Sequence, residues 1–138
     1  MLFVRKPSRN GHQEGNLENA DSPDVPAAAT RRFCYALDLI DDAALIAEYE
    51  ARHAPGSGWP AVVAHIRAQG AESMEIWRAG DRMMMIVEAA ADYPRPVPTP
   101  PEIDRWEDLM WRFQRPLPFA RPGEKWVEMV QIFDLDAQ

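Results

Sequence analysis

The feature that most constrains this chain is a change of hydrophobic period. Arg31 to Leu39, "RRFCYALDL", alternates, with Phe33, Tyr35, Leu37 and Leu39 on one side and Cys34, Ala36 and Asp38 on the other. A period of two marks a half-buried strand. The next segment, "DDAALIAEYEARH", opens on Asp and spaces Leu45, Tyr49 and His53 by four, which is one helical turn. After a Pro-Gly loop, "WPAVVAHIRAQG" restarts a helix, with Pro60 suited to its first turn and Gly70 to its end. "SMEIW" and "RMMMIVEA" return to strand, and the "RAGD" between them predicts a hairpin. Five prolines between Pro94 and Pro101 make a stiff linker. Thr99 and Glu102 then match a capping box for "EIDRWEDLMWRFQ", whose stripe is Trp106, Leu109, Met110 and Phe113. "KWVEMVQIFDL" alternates again and predicts a last strand.

The predicted order is β-α-β-β-α-β with the first helix broken in two, the ferredoxin-like split arrangement of an α+β fold. Its four-stranded sheet carries helices on one face only. A second identical chain is the economical cover for the other face, so the expectation is a homodimer, a dimeric α+β barrel. Seven Met and five Trp suit a sealed sheet face or an adaptable ligand cavity.

The domain is expected over residues 31–138. Residues 1–30 are polar, rich in Gly, Pro, Asn and Asp, and without a period, so they read as a disordered or extended N-terminal tail. The chain of 138 residues is enough for one domain with a proper core. Its net charge of −7 argues against a nucleic-acid partner, which needs clustered positive charge. The single cysteine, Cys34, excludes an intrachain disulfide, and no Cys/His spacing suggests a metal site. The N-terminal "MLFV" is too short for a signal-peptide core and no stretch is long enough to span a bilayer, so no membrane is expected and the cytoplasm is the expected compartment.

Tyr49 and His53 share a helix face beside a loop where a pocket can open. Imidazole, with an ordinary pKa near ~6.5, gives or takes a proton at neutral pH. A phenol donates a hydrogen bond or steadies an oxyanion. Both residues could equally pack in a core. Trp59 and Trp106 are core aromatics or platforms for the apolar face of a sugar ring. Glu107 faces another side of its helix and is expected to be solvated. Cys34 reads as a small buried hydrophobe and His65 as a surface residue.

These residues together resemble the L-rhamnose mutarotase family. The resemblance rests on "EYEARHAPGSGWP", with its Tyr-x-x-x-His and following Trp-Pro, supported by the Arg-Trp of "RWEDLM" and the closing "VQIFDL". It runs from about Arg31 to Asp136. It implies a dimeric ferredoxin-like α+β protein that interconverts the anomers of a 6-deoxy-hexopyranose without a cofactor. It places the proton-donating His on His53 and a substrate-contacting Tyr on Tyr49. A sugar contact on the second strand falls on Met74, where the rhamnose pattern has Tyr. A Trp-Trp pair falls on Trp106-Glu107. Two positions therefore depart from the rhamnose pattern, and "LMWRFQRPLP" followed by "KWVEM" looks more like the L-fucose branch. The implied substrate is a monosaccharide, L-fucose ahead of L-rhamnose. A competing reading is a monooxygenase-like or non-catalytic small-ligand-binding member of the wider dimeric α+β barrels, since fold alone does not choose function.

Overall fold

The computed structural model describes residues 30–138; the expected tail lies outside the described residues. The elements are β1 (Arg31–Leu39), α1 (Ala43–Arg52), α2 (Pro60–Ala68), β2 (Ala71–Ala79), β3 (Arg82–Ala89), α3 (Pro101–Trp111), β4 (Gln114–Arg115) and β5 (Val127–Glu128), followed by a short 3-10 turn at Leu135–Ala137. They form the expected ferredoxin-like α+β arrangement. The sheet is antiparallel, ordered β2-β3-β1-β4, with β5 also on β1. Since β3 pairs with β1 from Arg31 to Asp38, β4 and β5 share β1's other edge.

The alternation in β1 does what its period dictates. Phe33, Tyr35, Leu37 and Leu39 are buried beneath the helices, beside Met83, Met85 and Val87 of β3. Ile103, Trp106 and Met110 of α3 close over them. The hairpin turns at Gly80 with φ of 61, a left-handed conformation that a Cβ disfavours. Asp38, on the other side of β1, is also buried. Its carboxylate accepts from Arg82 Nε at 2.8 Å and lies 3.7 Å from Arg115, tying β1 to the start of β3 and to β4. The Arg82 hydrogen bond holds the Asp38 carboxyl below its ordinary value.

Three expectations are corrected. The last strand, expected across Lys125–Leu135, pairs only at Val127–Glu128, with one more bond from Met129 N–H to the Cys34 carbonyl at 2.7 Å. Beyond that point no described strand is available as a partner. The Thr99/Glu102 capping box is absent: the helix starts at Pro101 with Pro100 as its N-cap, so Glu102 sits one position too early to reach back. His65 is buried rather than on the surface, because α2 turns Val62 and His65 to the same side.

Leu37 is fully buried, so Leu37→Ala is expected to cost about 2–5 kcal/mol of stability. Urea unfolding followed by circular dichroism measures this as a lowered midpoint.

Candidate active site

Helix α1 begins where Asp42 accepts a hydrogen bond from the Leu45 N–H at 2.9 Å. Its buried face carries Tyr49, and His53 is its C-terminal cap. Capping places the imidazole over the last turn, with Nδ1 at 2.7 Å from the Tyr49 carbonyl oxygen. A carbonyl oxygen only accepts, so Nδ1 carries the proton. In the neutral ring the lone pair is therefore on Nε2.

The ring of His53 lies 4.2 Å from that of Tyr49 and meets Trp106 edge-on at 5.5 Å. Trp106 in turn meets Trp59 at 5.1 Å. Trp59 reaches this position as the N-cap of α2, at the end of a loop that turns at Gly56 with φ of 80. Burial in this aromatic cluster lowers the His53 pKa below its ordinary value, and the bond to the Tyr49 carbonyl partly opposes that. The imidazole is thus a neutral base at pH 7.

Tyr49 is held from its other end. Gln114 of β4 donates its amide Nε2–H to the Tyr49 hydroxyl at 3.2 Å, and both residues are buried. Burial pushes the phenol up to about 12, so it stays protonated. Because the hydroxyl accepts from Gln114, its own proton remains available for another acceptor.

A cleft of about 560 Å³ opens beside His53. Ile66 and Arg67 of α2 line one side, and Glu72, Ser73 and Met74 of β2 line the other. The structure therefore gathers Tyr49, His53, Trp59 and Trp106 into one cluster. His53 and Met74 both line the cleft, whereas Tyr49, Trp59 and Trp106 are not among its lining residues. Glu107 goes elsewhere, and not to solvent as the sequence suggested. It is buried, and its Oε2 pairs with Lys125 Nζ at 2.7 Å. Lys125 also donates to the Glu107 carbonyl at 3.3 Å and lies 4.6 Å from the Trp111 ring centroid. The pair borders a second cavity of about 430 Å³ together with Asp104, Asp108 and Trp111. Burial pushes the Glu107 carboxyl up and the Lys125 amine down, each partly countered by the other.

Gln114 and Lys125 were not singled out in the sequence. Gln114 lies 65 residues from Tyr49, and Lys125 lies 18 residues from Glu107, so no helical spacing links either pair. Among the described residues no group of three or more His, Cys, Asp or Glu could hold a metal ion, and no helix is long and apolar enough to cross a membrane.

An α+β sheet with a cleft bordered by a histidine that is a neutral base and packs against aromatic rings defines a class of proteins suited to proton transfer on a small ligand. Comparison with known proteins narrows the class. A profile of L-rhamnose mutarotase matches residues 32–135. An L-fucose mutarotase of Xanthomonas campestris pv. campestris is 48% identical over 110 residues, covering 76% of this chain and 88% of that protein. A UPF0734 protein of Dictyostelium discoideum is 30% identical over 115 residues, covering 77% and 90%. The crystal structure of an L-rhamnose mutarotase from Formosa agariphila superimposes with a TM-score of 0.57 at 14% identity, covering 76% of this chain and 98% of that one, which establishes a shared fold. The chain belongs to the L-rhamnose mutarotase family, and with it to the isomerases that act on sugars.

Lys125→Met strands the buried Glu107 carboxylate and is expected to cost about 3–5 kcal/mol at pH 7. With Lys125 gone, burial leaves the Glu107 carboxyl titrating above its ordinary 4.5. A raised folded-state value favours the native state below the unfolded value and loses that advantage as pH rises. The stability gap from wild type should therefore narrow on lowering the pH from 7 to 4, as read by urea unfolding at both values.

Proposed function

We propose that this protein is a mutarotase for 6-deoxy-hexopyranoses, with L-fucose favoured over L-rhamnose, working through its own acid–base groups. The observation that carries the reading is His53, with Nδ1 tied to the Tyr49 carbonyl, beside a cleft of about 560 Å³, ample for a monosaccharide. In the proposed reaction Nε2 takes the proton of the anomeric hydroxyl while the C1–ring-oxygen bond breaks. The ring oxygen gains a proton from a second donor, for which the protonated Tyr49 hydroxyl is the assigned group. The product is the open-chain aldehyde. Rotation about C1–C2 turns its other face to the ring hydroxyl, the ring closes, and both protons return by the reverse path. Such a scheme needs two positioned groups, a base that is neutral at working pH and a donor that stays protonated.

The sugar preference is supported by the 48% identity to a protein named as an L-fucose mutarotase. It is also supported by Met74 and Glu107, which stand where the rhamnose pattern resembled above has Tyr and Trp. Met74 removes a hydroxyl from the cleft wall. Glu107, drawn away by Lys125, removes an indole face beside Trp106. In this reading Trp59 and Trp106 offer the apolar wall of the sugar site.

The working unit is proposed to be a cytoplasmic homodimer. The centre of the sheet face turned away from the helices carries Cys34 and Ala36 of β1, Met84 and Ile86 of β3, Trp77 of β2 and Val127 of β5, with the Arg32–Glu88 and Asp38–Arg82 pairs and Glu75 around it. An apolar centre with a charged rim is the make-up of a protein–protein interface.

His53→Ala is expected to slow catalysed anomer exchange about 10²–10⁴-fold with the fold intact, and Tyr49→Phe to slow it less. Saturation-transfer NMR at the anomeric protons, with L-fucose, L-rhamnose and a D-sugar side by side, measures both the loss and the preference. Because the His53 pKa lies below its ordinary value of 6.5, exchange should be level above about pH 6.5 and fall as the imidazole gains its proton at lower pH. Unchanged exchange in a folded His53→Ala protein would refute the assignment.

A further inference from the structure

Two buried polar side chains meet behind the candidate base. Gln114 and Tyr49 are each 4% exposed, and the Gln114 amide donates Nε2–H to the Tyr49 hydroxyl oxygen at 3.2 Å. The other end of the same amide, Oε1, is buried with no hydrogen-bond partner. A buried carbonyl without a donor is unfavourable and calls for a physical account.

The amide has an alternative. Turned about its last bond, it would offer Oε1 to the Tyr49 O–H, and that carbonyl would be satisfied. With Oε1 facing Tyr49, the phenol proton is committed to the amide. With Nε2 facing it, the phenol oxygen is an acceptor and its own proton is uncommitted. The orientation that leaves Oε1 orphaned is therefore the one that leaves Tyr49 able to donate.

The backbone that carries Gln114 is fixed on both sides. Gln114 itself pairs with Leu39 in the sheet. Before it, the Phe113 carbonyl accepts from the Ile40 N–H at 2.8 Å, and the Phe113 ring meets the Tyr49 ring edge-on at 6.0 Å. After it, Arg115 donates to Asp81 at 2.8 Å and lies 3.7 Å from Asp38. Consecutive residues thus hold the Tyr49 ring by its edge and its oxygen by a lone pair. A donor fixed in this way needs no reorganisation when charge develops in front of it.

We propose that Gln114 is a positioning residue for the ring-opening step and acts through Tyr49. When the Tyr49 hydroxyl gives its proton to the ring oxygen, the O–H bond breaks and its electron pair stays on the phenol oxygen. The Gln114 N–H, already directed at that oxygen, then donates to a phenolate. Hydrogen bonds to an ionised acceptor are roughly twice as strong as neutral ones, so the bond tightens as the barrier is climbed. When the ring closes the proton returns and the bond relaxes. The same bond opposes the burial that pushes the Tyr49 phenol up. Gln114 need not touch the sugar. The proposal rests on the reading of Tyr49 as the second proton donor, and adds the group that makes a buried phenol usable in that role.

Saturation-transfer NMR at the anomeric protons of L-fucose, over a range of sugar concentrations, tests it on Gln114→Met, Gln114→Glu, Tyr49→Phe and the double variant Tyr49→Phe/Gln114→Met. Met keeps the length and bulk of Gln without its N–H donor. Glu keeps the shape, and its carboxylate accepts the Tyr49 O–H and holds the proton. Gln114→Met is expected to lower the maximal exchange rate about tenfold with half-saturation unchanged, and Gln114→Glu to lose at least as much at pH 7. In the Tyr49→Phe background, where no phenolate forms, Gln114→Met should add no further loss. A Gln114 that only supports the fold would slow both backgrounds alike, and that result would overturn the proposal. Wild-type exchange in folded Gln114→Met would do the same. Should Gln114→Met fail to fold, wild-type exchange in Gln114→Glu at pH 7 is the overturning result. Wild-type exchange in Tyr49→Phe would instead remove the donor reading, and the role of Gln114 with it.

A second readout is free of catalysis. Carbon-13 at the ring Cζ of the protein's three tyrosines gives three signals, and Tyr49 is the one missing from Tyr49→Phe. Accepting from an amide and donating to a carboxylate polarise the phenol in opposite senses. The Tyr49 signals of the wild type and of Gln114→Glu should therefore fall on opposite sides of that of Gln114→Met. A Tyr49 signal unmoved by either variant would show that the amide does not engage the phenol, and would overturn the proposal while leaving the donor reading of Tyr49 intact.

Discussion

Strand β1 is the constraint on which the molecule depends. It is bonded along one edge to β3 and on the other to β4 and β5, so three strands are placed by a single nine-residue segment. Its alternation divides the space around it: one face receives the helices and the other remains open. Its C-terminal end is fixed by Asp38, whose carboxylate holds guanidinium groups from β3 and β4. That fastening sets β4, and β4 carries Gln114 to the hydroxyl of Tyr49. The path from strand pairing to the candidate active site is therefore short and made of hydrogen bonds between named groups.

Three residues of the site stand at the ends of elements, while Tyr49, Met74 and Trp106 lie within theirs. His53 caps α1, Trp59 caps α2, and Gln114 opens β4 immediately after α3. Each position is fixed by the element it ends, while its side chain is free to face a cleft. This accounts for an imidazole that is packed against aromatic rings on one side and is open on the other. It also accounts for the division of labour between neighbouring residues of α3. Trp106 turns to His53, and Glu107, about 100° further round the helix, turns to Lys125.

Much of this was legible because period is a local property. The strand of Phe33, Tyr35, Leu37 and Leu39, the helix that pairs Tyr49 with His53, and the hairpin at Gly80 each declare themselves within ten residues or so. Contacts across the fold did not. Nothing near Glu107 announces Lys125, and nothing near Tyr49 announces Gln114, because both pairs are made by the chain's return and not by spacing. The misread end of the chain has a different cause. The alternation holds only from Val127 to Met129, since Val130 and Ile132 put apolar groups on the face of Glu128 and Asp134, and the strand ends there too. His65 was misjudged because its imidazole was weighed as a polar group, while the turn of α2 after Pro60 aligned it with Val62.

The buried Glu107–Lys125 pair has a consequence for how this lineage can change. A lone substitution at either position leaves an uncompensated charge in the interior, whereas exchanging both for apolar residues of similar volume removes the problem altogether. The wall beside Trp106 is thus held by two loci that must move together. Drift at this point would proceed by paired replacements, and intermediates carrying only one of the two would be selected against for their folding.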